Sequence, residues 1–158
     1  QSAAASMKLL LQMQSSSAEV DKVGEVRRIV ENEIAALAAQ RRTDEDLQDL
    51  AAILQENRKH LDDPEIYIKS DVAFHAALAR ATQNELFALI LDSLVDIMIE
   101  VRLLSLRVPG ITRQAFSYHE RIHEAVSAGD PEAARAAMDA HMDQASDALR
   151  QAVGGDSG

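Results

Sequence analysis

Four polar residues fall where a helical chain buries its side chains, and their types are those of a metal site. An α-helix advances about 100° per residue, so each polar side chain can be placed on or off an apolar stripe. Asp71 and His75 are four apart and share a face with Ile68 and Leu78. His141 falls near the middle of the stripe made by Ala134, Met138, Ala145 and Ala148. Between these two segments, Ala115, Tyr118, Ile122, Ala125 and Val126 form a stripe that has His119 nearer its centre and His123 at its edge. One inward histidine is ordinarily a hydrogen-bonded core residue. Three with an aspartate, from three helices, suit a divalent cation: Zn²⁺ heads the candidates, and Ni²⁺, Mn²⁺ and Fe²⁺ accept the same ligands. A carboxylate offsets part of the ion's charge, and an ion of higher coordination number keeps positions open for a small molecule.

The same residues allow a rival chemistry. His119-Glu120-Arg121-Ile122-His123 matches H-E-x-x-H, in which two histidines hold zinc and the glutamate acts as general base of a hydrolase. The longer metzincin pattern is not met, since Val126 and Gly129 stand where Gly and His are needed. A carboxylate-bridged di-iron bundle needs two Glu-x-x-His pairs, and only Glu120 to His123 qualifies. A purely structural dimerisation bundle is the third possibility. Two arginines are also misplaced for solvent. Arg27 lies among Val20, Val23 and Ile34, where an unpaired guanidinium costs several kcal/mol. It needs an anion, either Glu31 one turn later or a ligand carboxylate gripped in bidentate fashion. Arg102, beside Leu91, Val95 and Met98, is placed to serve the same ligand. Asn84, just ahead of that helix, is either a ligand contact or a cap.

Helices must position these groups. The chain has three prolines, six glycines and an abundance of helix formers, and no strand-like alternation. Helical spacing predicts segments over about 19–42, 43–61, 63–82, 85–107, 112–128 and 130–153. Thr43 caps the second, Asp63-Pro64 opens the third, Val108-Pro109-Gly110 breaks the fourth, and Gly129 stops the fifth ahead of Asp130-Pro131. The fourth is apolar on nearly every side (Leu86, Leu89, Ile90, Leu94, Ile97, Met98, Val101), as a central buried helix would be. The predicted fold is an all-α antiparallel bundle of six to seven helices with an internal metal and ligand cavity. Residues 1–18 read as a linker with a short helix at most, 19–153 as one domain, and 154–158 as a tail.

Composition closes off other classes. A length of 158 residues with 47% apolar and 27% charged side chains suffices for one self-sufficient core. A net charge of −10 repels nucleic-acid phosphate. The absence of cysteine removes disulfides and thiolate sites and fits a cytoplasmic location. No run is long and apolar enough for a membrane span or a signal peptide.

Taken together, VRRIVENEIAALAAQRRTDEDL with Arg27 and Glu31, DVAFHAALARATQN with Asp71, His75 and Asn84, and HERIHEAVSAGDPEAARAAMDAHM with His119, Gly129, Asp130 and His141 form a pattern. It resembles the effector-binding, or FCD, domain of the FadR subgroup of GntR-type bacterial transcription regulators, from about Val23 to Arg150. The 22-residue step from His119 to His141, with a Gly-Asp helix start inside it, is the family's spacing and selects His119 over His123. The resemblance implies an antiparallel bundle that holds a divalent metal through an aspartate and histidines and senses small organic acids by a carboxylate. It further implies a homodimer joined to an N-terminal winged helix-turn-helix that binds operator DNA. No basic recognition helix precedes residue 19, so that head is expected to belong to a longer parent protein. Intact metal-ligand positions argue against a fatty acyl-CoA effector.

Overall fold

The computed structural model describes residues 17–154. The expected 1–18 linker lies almost wholly outside the described residues, as does the tail beyond Gly154. Among the described residues are six helices and no strand: α1 (Ser17–Arg41), α2 (Asp44–Lys59), α3 (Pro64–Ala81), α4 (Glu85–Leu106), α5 (Ile111–Ala128) and α6 (Pro131–Gly154). Short connections make successive helices antiparallel neighbours, so the all-helical bundle expected from the sequence is the fold found.

Local chemistry sets the helix ends. Thr43 and Asp46 form a capping box at α2, each side chain taking the other's backbone N–H. Asp63 caps α3 ahead of Pro64, whose missing N–H is one that a first turn leaves unpaired. Gly129 ends α5 in the left-handed region, with φ of 68°. Arg42, just past α1, reaches this end: its Nε–H donates to Val126 O at 2.8 Å and Nη2 to Ser127 O at 3.0 Å. A guanidinium on the last carbonyls of a helix meets the negative end of its dipole.

The main core runs through the middle of the bundle and includes Ile34, Leu50, Phe74, Leu78, Leu91, Ile122 and Met138, each at most 2% exposed. A second cluster, at the end where α4 gives way to α5, joins Tyr67 and Ile68 to Leu106, Ile111, Ala115 and Ala148. The expectation that α4 is buried all round is overturned. Leu91 and Val95 face inward, but Leu86, Leu89, Ile90, Ile99 and Leu104 are exposed, Leu89 by 61%. Helix α4 packs on one side only, and its outer apolar face is uncovered in the single chain. The side chains of Val20, Ile97, Met98 and Val101, also assigned to stripes, lie outside the described set.

Gly129 carries a direct test. A Cβ there would sit in a left-handed backbone and 3.3 Å from Arg42 Nη2. Gly129→Ala is expected to lower unfolding free energy by about 1–2 kcal/mol, read as a reduced urea midpoint with an unchanged denaturant slope.

Candidate metal centre

Three helices bring Asp71, His75, His119 and His141 to one point. Asp71 and His75 lie one turn apart on α3, His119 comes from α5, and His141 from α6; all four are buried. Each offers one ligand atom, and these atoms lie within 4.8 Å of one another. Asp71 Oδ1 is 3.2 Å from His119 Nε2 and 3.7 Å from His75 Nε2. The imidazole centroids are 5.2 Å apart for His75 and His119, 5.4 Å for His75 and His141, and 4.9 Å for His119 and His141. Phe74 stacks on His119 at 4.3 Å and gives the site an apolar wall, while Tyr118 lies over His141.

The donor set fits a cation. Neither nitrogen of His141 has a hydrogen-bond partner, nor does His119 Nε2 or His75 Nε2, and all are out of solvent. Buried polar atoms are ordinarily satisfied, and bare imidazole nitrogens aimed at a carboxylate oxygen have in common that a metal ion satisfies them all. Four ligand atoms around one zinc ion lie about 3.3–3.6 Å from one another, a spacing that the cluster approaches from within 4.8 Å.

A second ring of side chains aims these ligands. Asn57 of α2, fully buried, takes the His119 Nδ1–H on its Oδ1 at 2.7 Å. That fixes the tautomer leaving a lone pair on Nε2, the usual second-ligand arrangement of a metal-binding histidine. Glu31 of α1 lies in close ion-pair contact with His75 Nδ1 and accepts from Arg27 Nε–H at 2.7 Å. Arg102 of α4 donates through Nη2 to Asp71 Oδ2, leaving Oδ1 toward the histidines.

Electrostatics agree with this division. Burial raises the Asp71 pKa, but Arg102, His119 and His75 outweigh it and hold the carboxyl well below its ordinary value. Burial likewise opposes ionisation of Glu31, and the Arg27 and His75 charges overcome it. Burial pushes His119 down to about 4 despite the Asp71 contact. His141 is likewise held well below its ordinary value, by burial and then by its two neighbouring histidines. The interior at neutral pH thus holds two carboxylates, two guanidinium groups and, at His119 and His141, unprotonated imidazoles.

The other sequence-predicted residues divide. Arg27 has the Glu31 partner the sequence allowed. Arg102 stands beside the cluster, with Nη1 buried and unpaired. Asn84 Oδ1 accepts from Leu86 N–H at 3.1 Å, so its side chain caps α4. Glu120 points outward to Arg58 at 3.0 Å, and His123, only partly buried, lies by Ser127. The H-E-x-x-H motif therefore sends one histidine inward and its glutamate to the surface. Asn57 escaped the sequence reading, although its place seven residues after Leu50, on the inner face of α2, is the signal that marks it.

The fold and the cluster together define the class: an all-helical bundle with a buried Asp/His₃ cluster at its centre. The chain belongs to the FCD domain family, whose model matches residues 22–144. It is 35% identical over 136 residues to the HTH-type transcriptional regulator LutR of Bacillus subtilis, covering 83% of this chain and 62% of that protein. It is 31% identical over 130 residues to the HTH-type transcriptional repressor NanR of Escherichia coli, covering 77% and 47%. Among solved structures, E. coli McbR/YncC superposes with a TM-score of 0.77 at 20% identity, over 86% of this chain and 66% of that one; this likeness concerns the fold. Streptococcus agalactiae GntR gives 0.68 at 26% identity, over 80% and 57%. The chain spans 47% to 62% of the length of these two curated relatives.

The depressed His119 pKa has a measurable consequence for the metal-free protein. Between about pH 6.5 and 4 the unfolded chain takes up a proton on this residue that the folded chain refuses, so stability falls as pH falls through that window. The expected loss from His119 is on the order of 3 kcal/mol, and a chemical-denaturation series across pH 4–7 should show it. His119→Gln should flatten the curve.

Proposed function

We propose that this chain is the metal-dependent sensor domain of a GntR-type transcription regulator. The observation that carries the reading is the buried cluster of Asp71, His75, His119 and His141 with its unsatisfied nitrogens. These four residues would hold a divalent ion, zinc first and nickel, manganese or iron as alternatives set by availability. When bound, the ion supplies a Lewis-acidic point that takes a carboxylate oxygen. Charge balance supports an acidic effector. Arg27 and Arg102 already offset Glu31 and Asp71, so a dication leaves two positive charges uncompensated in a low-dielectric interior. A small organic acid answers that surplus, with the unpaired Arg102 Nη1 as its donor and Arg27 behind it. Asn84, engaged as a cap, is left out of this set.

The curated relatives are named as HTH-type regulators. We assign operator binding to a winged helix-turn-helix outside this chain, whose own charge of −10 suits it poorly to DNA. The sensor unit is placed at 19–153, with 1–18 as connecting segment and 154–158 as tail, in a cytoplasmic protein. No helix among the described residues is long and apolar enough to cross a membrane. The uncovered α4 face, with Leu86, Leu89 and Ile90, supports homodimerisation. Effector binding to one of two bundle arrangements would change the spacing of the paired DNA-binding heads. Hydrolysis is disfavoured because Glu120, its required base, lies at the surface.

Dialysis against trace zinc followed by elemental analysis should give one ion per chain, and His141→Ala should weaken zinc binding by at least about 100-fold. Calorimetry with small carboxylic acids should show binding that chelation abolishes and that Glu120→Gln leaves unchanged. Metal-independent acid binding, or no retained ion, would sink the proposal.

A further inference from the structure

His119 holds one hydrogen between two oxygen acceptors. Burial keeps its ring uncharged at neutral pH, and such an imidazole carries its hydrogen on either Nδ1 or Nε2, with a lone pair on the other. On one side Asn57 Oδ1 lies 2.7 Å from Nδ1. On the other, Asp71 Oδ1 lies 3.2 Å from Nε2. The carboxylate is the charged acceptor and by charge alone would draw the hydrogen to Nε2. That tautomer closes the nitrogen facing the cluster, since a ligating nitrogen must be bare.

Three observations tilt the contest toward Asn57. Its contact with the ring is the shorter, and Nε2 has no hydrogen-bond partner even with the Asp71 oxygen beside it. Asp71 is also drawn the other way, because Arg102 Nη2 donates to its Oδ2. Finally, Asn57 has little other reason to be where it is. It is 0% exposed on α2, a helix that supplies no member of the cluster, and its Nδ2 is buried without an acceptor. A half-satisfied amide is costly in a core, and an apolar residue would pack there without that cost. Phe74 stacks on the ring at 4.3 Å, so packing sets the plane of the imidazole, and the amide is left to set the place of its hydrogen.

We propose that Asn57 is a positioning residue for the metal centre. Its carbonyl oxygen keeps the His119 hydrogen on Nδ1 against the pull of Asp71, and so holds Nε2 open before any ion is present. The identity of what enters the cluster rests on the sensor reading above; the tautomer is a property of the metal-free chain. The rival arrangement turns the amide over, with Nδ2 donating to Nδ1 and the hydrogen on Nε2 toward Asp71.

The test reads the hydrogen directly. Imidazole nitrogen NMR spectra are recorded on the metal-free chain at neutral pH, with His119 assigned by the signals lost in His119→Gln. Zinc affinity is measured on the same preparations by competition with a chelator. The wild type is expected to show hydrogen on Nδ1 and a bare Nε2. In Asn57→Leu, which keeps the branched shape but no acceptor, the hydrogen should move to Nε2 and zinc should bind about tenfold to 100-fold more weakly. Asn57→Asp, which keeps an oxygen at Nδ1, should bind zinc within about threefold of wild type. Hydrogen on Nε2 in the wild type overturns the inference, and that spectrum decides even where Asn57→Leu fails to fold. So does wild-type zinc affinity in Asn57→Leu, or a weakened affinity there with the hydrogen still on Nδ1, which would reduce Asn57 to packing. Hydrogen on Nδ1 in a wild-type chain that binds no zinc overturns the sensor reading and leaves the tautomer assignment standing; hydrogen on Nε2 in a chain that does bind zinc overturns the role of Asn57 alone.

Discussion

Imidazole nitrogens buried in the bundle core, facing a carboxylate oxygen rather than a hydrogen-bond donor, are the feature on which the structure turns. Burial keeps His119 and His141 unprotonated at neutral pH, so they cannot relieve the arrangement by ion pairing with Asp71. The carboxylate is instead neutralised from the other side by Arg102. Without that guanidinium, Asp71 would be a buried charge with no strong partner, an expensive state in any low-dielectric interior. With it, the interior is electrically balanced before any ion arrives, and the histidines are left free to ligate.

The outer ring explains why two helices that contribute no ligand are part of the site. Helix α2 sends Asn57 to His119 and α1 sends Glu31 to His75, each on the nitrogen facing away from the cluster. The His119 ring, hydrogen-bonded at Nδ1, can present only Nε2 and can turn little. The capping box of α2 and the Arg42 strap across the end of α5 fix the helices that carry these groups. Site geometry and bundle stability are therefore coupled through the same contacts.

Helix α4 joins the interior to the surface. Its inner side delivers Leu91, Val95 and Arg102 to the core, and its outer side presents exposed leucine and isoleucine. A helix that is apolar all round is ordinarily read as central. Here the second apolar face has no cover within the single chain, which is why composition alone gave the wrong burial. An association partner satisfies the same pattern as a surrounding bundle would, and residue type cannot tell the two apart.

The helices, their caps and the inward placement of Asp71, His75, His119 and His141 were legible in the order of amino acids, because helical periodicity and end chemistry act over one or two turns. Thr43, Asp63 and Gly129 do in the fold what their types demand, and the stripe on α5 ranks His119 over His123 as the coordinates do. Packing decided the rest. Whether Arg27 meets Glu31 or a ligand, that Arg102 holds Asp71, that Asn57 orients His119, and that the Tyr67 hydroxyl ends without a partner all depend on side chains tens of residues apart or on which neighbour wins a shared charge. Periodicity assigns a side chain to a face but not to a partner across the bundle, and hydrogen bonding at the centre is a matter of partners.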